Sequence, residues 1–334
     1  MKRLLLLLIG VAVSVGFLWY AMRDTDLGTV SSAFQTANYL TLPVLLLLLL
    51  AFYWLKSVRF AQLLEPGAPL TARQLFGPVM IGFAANNILP AHLGEFVRVF
   101  VVNRQHRVPA GTVLLSVVLE RIFDIFAILA LFGVGILMAP DMPDNYQRGA
   151  LTFAAFAAGI VLIMGVYMVW TDWFVTTTAR IAGLFPFVPK WLTEKLLDLL
   201  RQGAIGLHSL KSARAILLIT LNSLLQWLIN GYSACLALQA FGVEVTLSTG
   251  LILTGITALG VMIPAAPGYF GVVQVCFQIA VQVQQIKPDP SLVLAASLYS
   301  QIVGYIAVTG MGVFFLNRAQ LSLQDLQRAA DQQS

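Results

Sequence analysis

Long uninterrupted apolar runs constrain this 334-residue chain more than any other feature. Neither Leu4 to Met22 nor Pro43 to Leu55 contains a charged residue, and the whole sequence is 59% hydrophobic with only 10% Asp, Glu, Lys and Arg. A soluble domain carries about a quarter charged residues, because its surface must face water. A cytosolic enzyme is thereby excluded, and the bilayer becomes the solvent in which an apolar outside costs nothing. The runs are continuous and do not alternate, so a β-barrel fits poorly and helices are expected.

Lys2 and Arg3 precede the first run, which ends Phe17-Leu18-Trp19-Tyr20 without a small-residue cleavage site, so it reads as an anchor. Further full spans are expected at about 39–60, 110–138, 149–170, 215–241 and 290–316. Segments 74–107 and 246–286 are apolar but interrupted, by Pro90 and Gly94 in the first and by Pro264, Pro267 and Gly268 in the second. Proline removes a donor and glycine frees the backbone, so each segment is expected as two short helices meeting at a turn. Two ordinary spans with proline kinks are the alternative.

If each broken segment enters and leaves on one side, both termini and most basic residues fall on the cytoplasmic face, Lys56 and Arg59 among them. Only Arg23, Arg148 and Lys287 then face out, as the positive-inside rule asks. The expected fold class is an all-α polytopic membrane protein, with about six full spans and two re-entrant helical hairpins forming an inverted repeat. Residues 1–318 make up the membrane domain, which includes a basic, amphipathic interfacial elbow at 172–213; 319–334 form a short cytoplasmic tail.

Five charges fall at membrane depth: Glu95, Arg98, Glu120, Arg121 and Asp124. Each costs about 2.5–3.5 kcal/mol near the bilayer centre unless it is paired or hydrated. Glu120 and Asp124 stand four residues apart on one helical face, with Ser116 a turn earlier, and Arg98 is the expected cation for them. Arg121 lies about 100° round the helix, placed for Glu95 or for a phosphate. Such a cluster is also what a purely structural ion-pair lock between hairpin and span looks like.

Amides carry the polarity of the second half. Asn222, Gln226 and Asn230 form one stripe, Gln274, Gln278 and Gln282 a second, and Ser297 with Gln301 a third. In lipid such faces turn inward, as interhelical glue or as the wall of a hydrated groove. Helices beginning after Pro90 and Pro267 are expected to present free backbone N–H groups to an anion. Cys235 and Cys276 read as buried thiols, and with His92, His106 and His208 they make no metal cluster.

Asn87-Ile88-Leu89-Pro90-Ala91-His92-Leu93-Gly94-Glu95, with Arg98 following, resembles the N-x-L-P-A-R-x-G-E-x-x-R signature of the transmembrane, flippase-like domain of lysylphosphatidylglycerol synthases. Glu120-Arg121-Ile122-Phe123-Asp124 resembles that family's E-R-x-x-D. Pro264-Ala265-Ala266-Pro267-Gly268-Tyr269-Phe270-Gly271 resembles its P-x-x-P-G-x-x-G. The three blocks come in the family's order. The resemblance implies a lipid-translocating domain whose substrate contacts include the first block (Asn87, Pro90, His92, Gly94, Glu95, Arg98), then Glu120, Arg121 and Asp124, then Pro264, Pro267, Gly268 and Gly271. Beside these, the amides Asn222, Gln226, Asn230, Gln274 and Gln278 are candidates from the residue pattern. His92 stands where the family often has Arg, and Gln274 where it often has Glu, so lysyl-lipid specificity does not carry over. Ser334 ends the sequence without an aminoacyltransferase region, so no aminoacyl transfer is expected.

The expected function is flipping or scrambling of an anionic or modified phospholipid, or of a polyprenyl-linked lipid, across the inner membrane. The alternatives are an ion- or proton-coupled solute transporter working through Glu95, Glu120 and Asp124, a membrane enzyme acting on lipid phosphates, and a non-catalytic partner of a lipid synthase. No Walker loop, H-E-x-x-H, G-x-S-x-G or nucleotide fingerprint occurs, so neither an enzyme nor a cofactor is expected. The expected partners are a membrane phospholipid or lipid-linked substrate and a separate lipid-modifying enzyme; no nucleic acid is implied, and oligomers are left open.

Overall fold

The structure is a computed structural model that describes residues 2–64, 68–89, 93–139, 170–183, 213–263 and 265–321, with isolated positions between 152 and 167 and at 197. Among the described residues it is wholly helical. The helices are α1 (Lys2–Met22), α2 (Leu27–Thr36), α3 (Thr41–Leu64), α4 (Ala72–Ile88), α5 (Gly94–His106) and α6 (Ala110–Leu137). They continue with α7 (Thr171–Gly183), α8 (Ala213–Ala240), α9 (Leu247–Gly260), α10 (Val272–Val283) and α11 (Pro290–Arg318).

Three of these, α3, α8 and α11, are long and apolar enough to cross a membrane. Their outer faces are apolar and exposed, as at Leu47, Leu221, Ile306 and Phe314, which suits a lipid surround. Helix α6 has the length, but Glu120, Arg121 and Asp124 interrupt its apolar run. The span expected at 149–170 is described only at scattered helical positions. The elbow lies largely outside the described residues, which hold only α7, Leu197 and Ala213 of it, and the tail beyond Leu321 lies wholly outside them.

Both interrupted segments are helix–turn–helix units. Helices α4 and α5 have 17 and 13 residues, and α9 and α10 have 14 and 12. At 1.5 Å per residue they reach about 18–25 Å, short of the roughly 30 Å of hydrocarbon. Helix α4 packs along α5, α3 and α11, and α9 packs along α10, α6 and α8. Each unit has its own apolar core. Phe60, Leu75, Val79, Val102 and Val113 surround the first, and Phe132, Ile252, Phe277, Ala296 and Tyr299 are in the core of the second.

The first unit closes on a glycine contact. A Cβ at Gly94 would stand 2.0 Å from the Gly82 carbonyl oxygen and 2.5 Å from Asn86 Oδ1, so only glycine lets α4 and α5 approach this closely. The second turn depends on backbone freedom instead. Gly268 and Gly271 have φ of +83° and +90°, conformations that side chains disfavour. Helix α1 lies against this turn, where Ser14 Oγ accepts from the Ala266 N–H at 3.0 Å.

The open ends of the two units lie at opposite ends of α11. Arg73 at the start of α4, Gln105 near the end of α5 and Arg318 at the end of α11 line one cavity of about 660 Å³. Lys287, just past α10, lines another with Pro290 at the start of α11 and Arg23 at the end of α1. Gln284, also past α10, accepts from Thr249 at the start of α9, so that unit's two ends lie together.

Candidate functional site

Seven charged side chains meet between α3, α5 and α6. Arg98 Nη2 lies 2.8 Å from Glu120 Oε2, and Arg121 Nη2 lies 2.9 Å from Glu95 Oε1, as the helical spacing suggests. Two more cations come from α3. Arg59 Nη2 is 2.8 Å from Asp124 Oδ1 and 3.3 Å from Glu120 Oε1, while Lys56 Nζ is 3.4 and 3.6 Å from the same two carboxylates. Arg59 Nη1 also donates to Ser223 Oγ at 2.7 Å, and Trp227 Nε1 donates to Asp124 Oδ1 at 2.8 Å, tying α8 to the cluster.

Lys56 and Arg59 are thus a correction to the sequence reading, which places them on the cytoplasmic face. They are 2% and 0% exposed. The sequence held a signal for them: three carboxylates and two arginines at membrane depth leave a negative excess that calls for a further cation. Lys56 and Arg59 stand three residues apart on one face of the adjoining helix. With both included, four cations face three carboxylates.

Hydrogen bonding is incomplete despite these short approaches. Neither oxygen of Glu120 receives an aligned N–H, and Arg98 Nε and Nη1 have no acceptor among the described residues. The Arg98 guanidinium instead stacks over the Phe60 ring at 4.5 Å. The Glu120 pairs are therefore held by charge proximity in a low-dielectric interior, where an unpartnered ion is costly. Arg121 and Glu95 are the more exposed members, with side chains 40% and 28% accessible.

One donor at each second-helix start is already taken up. Free N–H groups are expected there to receive an anion, but α5 begins at Gly94 with its N–H donating to Asn86 Oδ1 at 2.7 Å. Helix α10 begins past Gly271, whose N–H donates to Gln274 Oε1 at 2.6 Å. In both units an amide side chain therefore takes up a donor where the second helix begins. Pro90, His92 and Pro264 lie outside the described residues.

The amide stripes divide between glue and cavity. Gln226 donates to Asn222, which donates to the Leu55 carbonyl; Gln278 donates to the Ala21 carbonyl at 2.8 Å. Gln274 Nε2 donates to Gln301 Oε1 at 2.6 Å, and Gln301 donates to the Gly268 carbonyl, so the pair clamps the second turn. Pro267, two residues short of the left-handed Tyr269, sits in the same turn. Ser297 is buried and bonded within α11, and Gln282 is exposed.

Asn230 points elsewhere. With Gln301 it lines a cavity of about 290 Å³, bounded by Asn87 from the end of α4, Gly268 from the second turn, and side chains of α3, α8, α9, α10 and α11. Tyr305, overlooked at the sequence level, joins the two units: its hydroxyl donates to the Asn87 carbonyl at 3.3 Å and its ring faces Phe270 of the second turn. The Phe52 ring lines this cavity and also lies 5.1 Å from Lys56 Nζ, so the charged cluster begins one side chain away from it.

The profile of the family described as the lysylphosphatidylglycerol synthase TM region matches residues 7–312. The chain is 24% identical over 279 residues to a protein of Haloferax volcanii named glycosyltransferase AglD, a match covering 75% of this chain. It spans only 44% of that relative's length. A UPF0104 membrane protein of Methanothermobacter thermautotrophicus is 26% identical over 257 residues, covering 72% of this chain and 74% of the relative.

Proposed function

The chain belongs to the lysylphosphatidylglycerol synthase TM-region family, and from that premise we propose that this membrane protein translocates a lipid by passing its headgroup between the two helix–turn–helix units. One observation carries the reading. A cavity whose largely apolar lining carries amides and hydroxyls lies where the end of α4 and the turn before α10 approach each other, in a bundle with an apolar outer surface. A headgroup can be held there while the acyl or prenyl tails stay in the bilayer, which lowers the cost of taking polar groups across hydrocarbon.

In this reading both units are re-entrant and form an inverted repeat. The open end of the first, with Arg73 and Arg318, faces the cytoplasm together with both termini, and the second opens outward beside Arg23 and Lys287. The arrangement of their open ends at opposite ends of α11, and the amide at each second-helix start, support it. The charged cluster fastens the first unit to α3, α6 and α8, and Arg121 with Glu95 is its accessible edge.

The test is reconstitution in vesicles with fluorescent lipids of differing headgroup, comparing wild type with Arg98→Ala and Glu120→Gln. Faster exposure of at least one lipid to an external quencher, lost in folded variants, is expected; no acceleration for any lipid would sink the reading. A second reading, a membrane partner of a lipid-modifying enzyme, draws on similarity to part of a protein named a glycosyltransferase. Co-purification with such an enzyme, without translocation, would favour it.

A further inference from the structure

We infer that the cavity between the two turns selects a neutral, hydroxyl-rich headgroup such as a sugar, which narrows the substrate class within the translocation reading and rests on it. None of the described residues lining the cavity is Asp, Glu, Lys, Arg or His. An ammonium or phosphate placed there would give up its hydration without a charged side chain in the lining to contact directly.

The polar groups that are present are amides and hydroxyls. The Asn230 amide and the Ser300 hydroxyl both line the cavity, and neither has a hydrogen-bond partner among the described residues. An amide offers both donors and an acceptor, and a hydroxyl offers one donor and two lone pairs. A sugar hydroxyl pairs with either in both senses. An ammonium only donates and a phosphate diester only accepts, so each would leave part of this set unpaired. Phe52 and Phe277 add apolar ring surface for the C–H face of a sugar. The volume of about 290 Å³ is at the small end of ligand pockets, which begin at about 300 Å³, and suits one compact headgroup.

The experiment uses the full chain in phosphatidylcholine vesicles. Three acyl-labelled fluorescent probes are compared: monoglucosyldiacylglycerol, phosphatidylglycerol and lysyl-phosphatidylglycerol. In parallel, the thermal midpoint of the detergent-solubilised protein is followed as each lipid is added. The glucosyl probe should move about tenfold faster than either charged probe, with that advantage lost in Asn230→Leu and reduced in Ser300→Ala. The glucosyl lipid should also raise the midpoint of wild type and not of Asn230→Leu.

A charged probe moving or stabilising as well as the glucosyl one overturns the inference, as does a glucosyl rate or midpoint shift indifferent to Asn230→Leu. If no probe moves but the glucosyl lipid still stabilises through Asn230, the translocation reading falls and the binding site stands. If no probe moves and none stabilises, both fall.

Discussion

Arg98 and Glu120 form a contact of 2.8 Å between α5 and α6, and neither residue is more than 2% exposed. This pair joins the second arm of the first helix–turn–helix unit to the long helix beside it. Truncating one partner leaves a buried charge short of compensation, which costs about 3–5 kcal/mol. Arg98→Ala is therefore expected to lower stability by about that amount in reversible unfolding from detergent micelles, and Glu120→Gln by at least as much, because it removes the carboxylate shared by Lys56, Arg59 and Arg98 and leaves four cations facing two carboxylates. Equal and negligible losses would show that the pair holds nothing together.

Lys56 and Arg59 share the same two carboxylates unequally. Arg59 approaches Asp124 to 2.8 Å and also bonds Ser223, while Lys56 stays at 3.4 Å or beyond and lies among the rings of Phe52, Phe83 and Trp227. Arg59→Met should thus cost about 3–5 kcal/mol. Lys56→Met should cost less than half as much, since its ion-pair contacts are longer and its apolar replacement suits the aromatic surround. The reverse order in the same unfolding assay would contradict this division.

The glycine at 94 is a steric requirement. An alanine there would press its Cβ against the backbone oxygen of Gly82, a neighbour that cannot rotate away. Overpacking of this kind costs about 1–3 kcal/mol or more, and Gly94→Ala should spread α4 from α5. Gly133 in α6 is the contrast, with nothing within 4 Å of an added Cβ. Gly133→Ala should gain about 0.5–1 kcal/mol from helix propensity. Thermal midpoints of the two variants, moving in opposite directions, check the pair.

Gln274 serves two partners, Gly271 N–H and Gln301. Gln274→Leu removes both bonds, and amide hydrogen exchange across residues 268–272 should rise by at least about tenfold, corresponding to roughly 1.4 kcal/mol of local stability. Gln274→Glu keeps an acceptor for Gly271 but loses the donor to Gln301, so its exchange should fall between wild type and Gln274→Leu. Exchange unchanged in both variants would remove the clamp from the account.

Much of the architecture could be read from the sequence because its causes are local. Gly94 marks the start of α5, Pro267 and Gly268 mark the turn before α10, and an apolar run marks each long helix. The i,i+4 spacing of Glu120 and Asp124 signals a shared need for cations. Lys56 and Arg59 were harder to place, since a charge at the end of an apolar run resembles an interfacial anchor until the facing carboxylates are known. Asn86 and Gln274 look like any polar residues in the sequence; only the turn geometry makes them acceptors for the second helix of each unit. Of the cavity, the sequence held only the amide stripes, readable as glue or as a groove wall; that Asn87, Asn230, Gly268 and Gln301 line one space follows from the packing of α11 against both units.

Passage of the headgroup between the two turns can be tested by plugging the cavity reversibly. Ser300 lines it, and the two native cysteines, Cys235 and Cys276, are buried at 2% and 4% exposure. In a Cys235→Ala/Cys276→Ala background, Ser300→Cys can be modified with benzyl methanethiosulfonate in vesicles containing a fluorescent lipid that the unmodified protein moves. Translocation is expected to fall to the protein-free rate on full modification and to recover when the disulfide is reduced. Undiminished translocation by fully modified protein would contradict the central claim.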